Sequence, residues 1–225
     1  MKKLLFVLSI LICLSLLIVM TYLVIKSSGA ALSIDAYVRD FAISHRGNKY
    51  GIIYWIFRTI TEFAEPIMVI SIGIMFLLYS ECDNKFLTFV FGLLLAFCLN
   101  EAFKETIGRA RPNVEHFQTE KSNSFPSTHS VISAYIYTAI PFYVSKTKIN
   151  KKWKKVIYII CPIIILAVML SRIVMGVHYF SDVIAGASFG LLISLLMMPV
   201  CGFLHRHKFL EGGVINAFKN KENKN

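Results

Sequence analysis

The sequence predicts an all-α fold: a six-transmembrane-helix bundle with an interfacial amphipathic helical segment between spans 1 and 2. Three observations carry this. The 225 residues are 56% hydrophobic with a mean hydropathy of +0.63, more apolar than a soluble domain of that length. Six apolar runs follow one another, at about 4–25, 65–80, 86–103, 129–144, 156–170 and 182–204. Short polar clusters collect beside those runs. Some runs fall short of the ~20 residues that cross a bilayer and must borrow flanking residues. The whole chain, 1–225, reads as a single integral-membrane domain.

The first run follows Lys2 and Lys3. It is longer than the ~7–15 residues of a signal-peptide core, so it reads as a retained anchor, with the segment after it outside. In the segment from about 30 to 64, Ile34, Tyr37, Val38, Phe41 and Ala42 recur at helical spacing, with Asp35, Arg39 and Asp40 between them. That is the pattern of an amphipathic helix at the interface. Tyr50, Tyr54, Trp55 and Phe57 suit headgroup depth. Gly186 and Gly190 form a small-xxx-small pair, which lets helix backbones approach closely and predicts a central last helix. Pro141 and Pro199 are expected to kink or end their helices.

Net charge is +11. Its distribution argues against a nucleic-acid binder. With the N-terminus inside, the inner segments hold 14 of the 24 Lys and Arg residues, among them six lysines between Lys146 and Lys155. This bias fits the positive-inside rule. It leaves residues 205–225 as a cytoplasmic tail, solvated and disordered at Lys219–Asn225. The polar clusters then lie on the opposite, extracytoplasmic side of a cell membrane. The five cysteines (Cys13, Cys82, Cys98, Cys161, Cys201) match no metal pattern and read as small apolar fillers.

The polar clusters carry the chemistry, because ionisable groups at a membrane are costly. In the first, Lys104 and Arg111 are seven residues apart and share a face if the stretch is helical. Pro112 is expected to end that helix at residue 111, and Arg109 points elsewhere, toward headgroups. In the second, Pro126 and Ser127 precede an apolar run as a helix start. Its free N–H groups suit a phosphate oxygen, and His129 falls on the first turn. In the third, His178 and Asp182 are four apart and stack on one helical face. A carboxylate on one imidazole nitrogen leaves the other as nucleophile or base. Arg172 offers a planar fork for phosphate oxygens. Glu101 is placed to pair with Lys104. His45, His116, His205 and His207 have no partner at diagnostic spacing and read as solvated.

Together the clusters resemble the three signature motifs of the type 2 phosphatidic acid phosphatase family: Lys-x6-Arg-Pro, Pro-Ser-Gly-His and Ser-Arg-x5-His-x3-Asp. The first is met by Lys104 to Arg111-Pro112, and the third by Ser171-Arg172 to His178 and Asp182. The second departs from the pattern, with Thr128 in place of the glycine. The resemblance implies a metal-independent phosphatase with a covalent phosphohistidine. It makes His178 the nucleophile, Asp182 its orienting partner and His129 the proton donor to the leaving oxygen. It gives Lys104, Arg111, Ser127, Thr128 and Arg172 the phosphate.

The residues themselves agree on a metal-free, cofactor-free site. Asp182 and Glu105 are the only carboxylates inside the clusters, too few for a dedicated Mg²⁺ site. The expected partners are the bilayer and a lipid phosphate, with phosphatidic acid, phosphatidylglycerophosphate and undecaprenyl diphosphate as candidates. Two alternatives use the same anion site. A lipid phosphotransferase shares the covalent step, and a transporter of phosphate-bearing lipid has no need of the His178–Asp182 pair. A haloperoxidase-like reading conflicts with the membrane spans.

Overall fold

A computed structural model describes residues 2–80 and 84–206. The described residues form α-helices throughout, with one 3-10 turn: α1 (Lys2–Lys26), α2 (Ser33–His45), α3 (Ile52–Thr61), the 3-10 turn Glu62–Ala64, α4 (Pro66–Ser80), α5 (Asn84–Ile107), α6 (Thr128–Ser145), α7 (Lys151–Val174) and α8 (Phe180–Arg206). Each of the six apolar runs falls on one helix, save that Glu65, at the start of the second run, precedes α4.

Four helices are each long and apolar enough to cross a bilayer: α1, α5, α7 and α8. The pair around Glu65, α3 with α4, passes the same test jointly but is bent by 42°. The six-span reading is therefore met only in part. Helix α6 is 18 residues long and begins Thr-His-Ser. It can afford those polar residues because it is the most enclosed helix, with Ser130 through Tyr137 buried.

Helix α6 packs on α5, α7 and α8, and its closest approach is to α8. A Cβ at Gly190 would lie 2.1 Å from the Val131 carbonyl oxygen, and one at Gly186 would lie 2.6 Å from that of Ser127. The glycine pair thus does what its spacing predicts, and α8 is central, contacting α1, α5, α6 and α7. The apolar core between these helices is built from Phe89, Val131, Tyr135, Ile136, Ala185 and Phe189, among others. Helix α1 leaves Leu4, Leu11, Ile12 and Ile18 exposed, an apolar face suited to lipid.

Several local expectations are corrected. Of the two effects expected of Pro141 and Pro199, ending the helix is ruled out, since α6 and α8 run through them. Helix α5 stops at Ile107, four residues before Arg111, because Gly108 takes a left-handed φ of +61°, a conformation that closes helices. His178 precedes α8 rather than lying on it. His116 is half-buried, and its Nε2 lies 2.8 Å from the Pro112 carbonyl oxygen, so it is not simply solvated. His45 is exposed, as expected. Cys82, His207, the side chain of His205 and Lys219–Asn225 lie outside the described residues.

Candidate active site

The loop between α5 and α6 brings the first two clusters together. Lys104, near the end of α5, donates from Nζ to the Ser122 hydroxyl at 2.9 Å. Arg111 reaches the same place from the loop: its Nε donates to the Ser122 carbonyl oxygen at 2.8 Å. The two cations do converge, but Gly108 and a folded-back loop achieve it rather than a shared helical face. Asn123 pins the fold-back by donating to the Lys104 carbonyl oxygen at 3.1 Å.

The third cluster comes from the turn between α7 and α8. Gly176 has φ +77°, and a Cβ there would lie 2.8 Å from Arg46 Nη1. The turn carries His178 into the site. Arg111 Nη1 donates to the Val177 carbonyl oxygen at 2.8 Å and lies 3.2 Å from His178 Nε2. On the other side of the ring, Nδ1 lies 3.5 Å from both Asp182 Oδ2 and the Ser124 hydroxyl. Asp182 is held by the Ser124 hydroxyl at 2.5 Å and the Tyr179 N–H at 2.9 Å. His178 is buried, and its pKa lies well below the usual 6.5. Burial is the first cause, followed by Arg111, Arg172 and Lys104.

A cavity of about 630 Å³ joins these groups. Lys104, Arg111, Thr128, His129 and His178 line one end, and Val69, Ile70, Leu93, Leu94 and Phe97 line the other, between α4 and α5. Ser127, Arg172 and Asp182 lie just behind that lining and are fully buried. Ser127 is the N-cap of α6, yet its hydroxyl has no partner among the described residues. Thr128 holds its neighbours through its hydroxyl, which accepts from Asn100 at 3.0 Å and donates to Glu101 at 3.3 Å. Glu101 also lies 3.9 Å from Lys104 Nζ.

Arg109 corrects the sequence reading most sharply. It is buried, not at the headgroups. Its guanidinium bonds Asp182, Asp35 and Ser181, and also the Gly29 and Ala30 carbonyl oxygens. Asp35, expected on a polar helix face, is also fully buried and accepts from the Ser181 N–H and hydroxyl at 2.8 Å.

The count of nearby carboxylates is corrected as well. Glu120 pairs with Arg172 Nη2 and lies 3.9 Å from Arg111. Glu65 Oε1 lies 3.3 Å from His129 Nε2. Burial alone would raise the Glu120 carboxyl, but Arg172, His129 and Arg111 outweigh it and hold it low. Glu65 is held down to about 2, first by its bond to His129. Among the described residues no group of three His, Cys, Asp or Glu side chains is arranged to hold a metal ion.

Sequence reasoning missed Glu65, Gln118, Glu120, Ser122 and Ser124. The only signal was the polar run Ser122-Asn123-Ser124 directly before Phe125-Pro126. Glu65 and Glu120 carry no local pattern.

A helical membrane bundle whose cavity joins two imidazoles and several cations to an apolar mouth is the architecture of a lipid phosphate phosphatase. The chain belongs to the PAP2 superfamily, whose profile matches residues 85–205. It is 37% identical over 138 residues to phosphatidylglycerophosphatase B of Bacillus subtilis (strain 168), covering 61% of this chain and 67% of that protein. It is 34% identical over 134 residues to the lipid A 1-phosphatase of Rhizobium johnstonii, covering 54% of this chain and 49% of that one. The fold is similar to the crystal structure of the PAP2 type phosphatidylglycerolphosphate phosphatase of Bacillus subtilis, with a TM-score of 0.75 and 24% identity. That likeness covers 90% of this chain and 99% of the other.

Proposed function

We propose that this chain, as one domain, removes phosphate from a membrane lipid at the outer face of the cell membrane through a phosphohistidine on His178. The supporting observation is the cavity itself. Cations and imidazoles at one end suit a phosphate, and the apolar end opens between α4 and α5, where Ile70, Leu94 and Phe97 are exposed. A lipid arriving from the bilayer meets the apolar residues with its tail and the cations with its headgroup.

In this reading α1 and α4 to α8 cross the membrane, and α2 and α3 lie at the outer interface. The exposed Tyr37 and Phe41 of α2 and Ile52, Trp55 and Ile56 of α3 support that position. The lysines between Lys146 and Lys155 belong at the opposite, inner face by the positive-inside rule.

The reaction runs in two steps. The Nε2 lone pair of His178 forms a P–N bond as the P–O bond to the lipid breaks. The electron pair stays on the leaving oxygen, which takes a proton from His129. Asp182 holds the other ring nitrogen protonated. A water then attacks phosphorus and gives its proton to His129, and the P–N pair returns to His178. Lys104, Arg111, Arg172, the Ser127 hydroxyl and the amide end of α6 at Thr128 stabilise the charge on the equatorial oxygens. No step calls on a metal ion.

The test is phosphate release by purified protein in detergent. The panel is phosphatidylglycerophosphate, phosphatidic acid and undecaprenyl diphosphate, each with and without EDTA, beside His178→Ala. Release that survives EDTA and vanishes in His178→Ala is the expected result. Release that EDTA abolishes and Mg²⁺ restores would overturn the metal-free mechanism.

A further inference from the structure

The phosphate chemistry makes no use of Glu65. This residue joins the 3-10 turn to α4 and lines the cavity beside Ala64, Pro66, Val69 and Ile70. Its Oε1 lies 3.3 Å from His129 Nε2, accepts from Gln118 Nε2 at 3.2 Å and lies 3.6 Å from Arg58 Nη1. Gln118 in turn accepts from Arg172 Nη1 at 2.8 Å. Glu65 is therefore fixed, on the wall that leads from His129 toward the apolar mouth.

In-line attack by His178 sends the leaving oxygen away from that ring. The lipid tail must leave through the apolar mouth. Both demands put the leaving group on the side of His129 and Glu65. We infer that Glu65 selects lipid phosphomonoesters and discriminates against lipid diphosphates. The inference rests on the phosphatase reading above.

The two substrates differ in what departs. From a monoester, the bridging oxygen takes the electron pair of the broken P–O bond and a proton from His129, and a neutral alcohol leaves past Glu65. From a diphosphate, the same bond cleavage leaves a lipid monophosphate, whose remaining phosphate is anionic. That phosphate must sit beside the Glu65 carboxylate. Two like charges about 5 Å apart, at an effective dielectric of about 20, correspond to roughly a few hundredfold in rate. His129 at 3.3 Å and Arg58 at 3.6 Å offset part of this, so about tenfold discrimination is expected. The bond to His129 holds the carboxyl in its ionised form, with its pKa lowered to about 2.

The test uses substrates with one shared tail, farnesyl phosphate and farnesyl diphosphate, and the full-length protein in detergent. Wild type is expected to show a kcat/KM about tenfold higher for the monophosphate. Glu65→Gln should shrink that ratio about tenfold, whatever it does to the absolute rates. If Glu65→Gln does not fold, Arg58→Gln carries the test: removing the offsetting cation should widen the ratio. A wild-type ratio of one or below overturns the inference, and so does a ratio that neither variant moves. Absence of release from these and from every lipid in the earlier panel sinks the phosphatase reading and this inference with it. Release with an indifferent ratio sinks this inference alone.

Discussion

Arg109 Nη1 donates to Asp182 Oδ1 at 2.5 Å while its Nη2 donates to Asp35 Oδ2 at 2.8 Å. One buried guanidinium thus ties the carboxylate behind His178 to the helix that follows α1. Its carbon lies 4.2 Å from the centre of the Tyr179 ring, so the fork is clamped from a third side. Two buried carboxylates would repel each other without it.

Arg109→Ala is accordingly expected to destabilise the protein by about 3–5 kcal/mol, the usual range when one partner of a buried ion pair is removed. Arg109→Lys keeps the charge but cannot reach both carboxylates as a planar fork. It should fold and lose about 10²-fold in kcat through a misplaced Asp182, with KM changing less. Thermal unfolding and steady-state kinetics on the two variants check this. A lysine variant with wild-type kcat would exclude Arg109 as a positioning residue.

His178→Gln should lower phosphate release by at least about 10³-fold, since the proposed nucleophile is lost while the cations remain. With a substrate labelled in its phosphate, acid quenching should trap label on wild type and none on the variant. Label retained by His178→Gln would move the nucleophile elsewhere.

The pH dependence follows from the direction of the His178 shift. The proposed mechanism needs His178 neutral, and burial beside Arg111, Arg172 and Lys104 pushes its pKa well below 6.5. Activity should therefore persist as pH falls through 6.5, and the acid limb of kcat/KM should have its midpoint below that value. On the same mechanism the alkaline limb reports loss of the proton that His129 donates. A rate profile from about pH 4 to about pH 10 tests both limbs. An acid midpoint above 6.5 would contradict the burial of His178.

Thr128 tests what the departure from the family glycine does. Thr128→Val removes the hydroxyl that accepts from Asn100, a side chain that is fully buried. A stability loss of about 1–3 kcal/mol is expected, because a buried donor loses its better partner. Thr128→Gly loses the same bond but opens the cavity wall. Inorganic phosphate should then inhibit the glycine variant at lower concentration than the valine variant. Equal inhibition of the two would mean that the Thr128 side chain does not narrow the site.

Much of this molecule was legible along the chain. Apolar runs, which need only composition, marked the helices. Fixed spacings marked Lys104, Arg111, His129, His178 and Asp182, because the motif residues lie close in sequence at helix ends. Gly186 and Gly190 read correctly because helix contact depends on a local period of four. The failures share one cause. Arg109, Asp35, Glu65, Glu120 and Ser124 act on partners that are distant in sequence, or that only a loop conformation brings near. Arg109 and Asp35 are 74 residues apart, and Glu65 and His129 are 64 apart. No periodicity links such pairs.

The sequence by itself determined a helical membrane protein of this superfamily and the motif side chains that gather at one end of its bundle. Those facts follow from hydropathy and from short fixed spacings along the chain. Tertiary structure alone decided how the first two cations meet, which buried arginine braces Asp182, and which carboxylates stand beside the imidazoles. Each of these depends on where Gly108 turns the chain and how closely α6 and α8 pack, and those distances exist only once the helices are assembled.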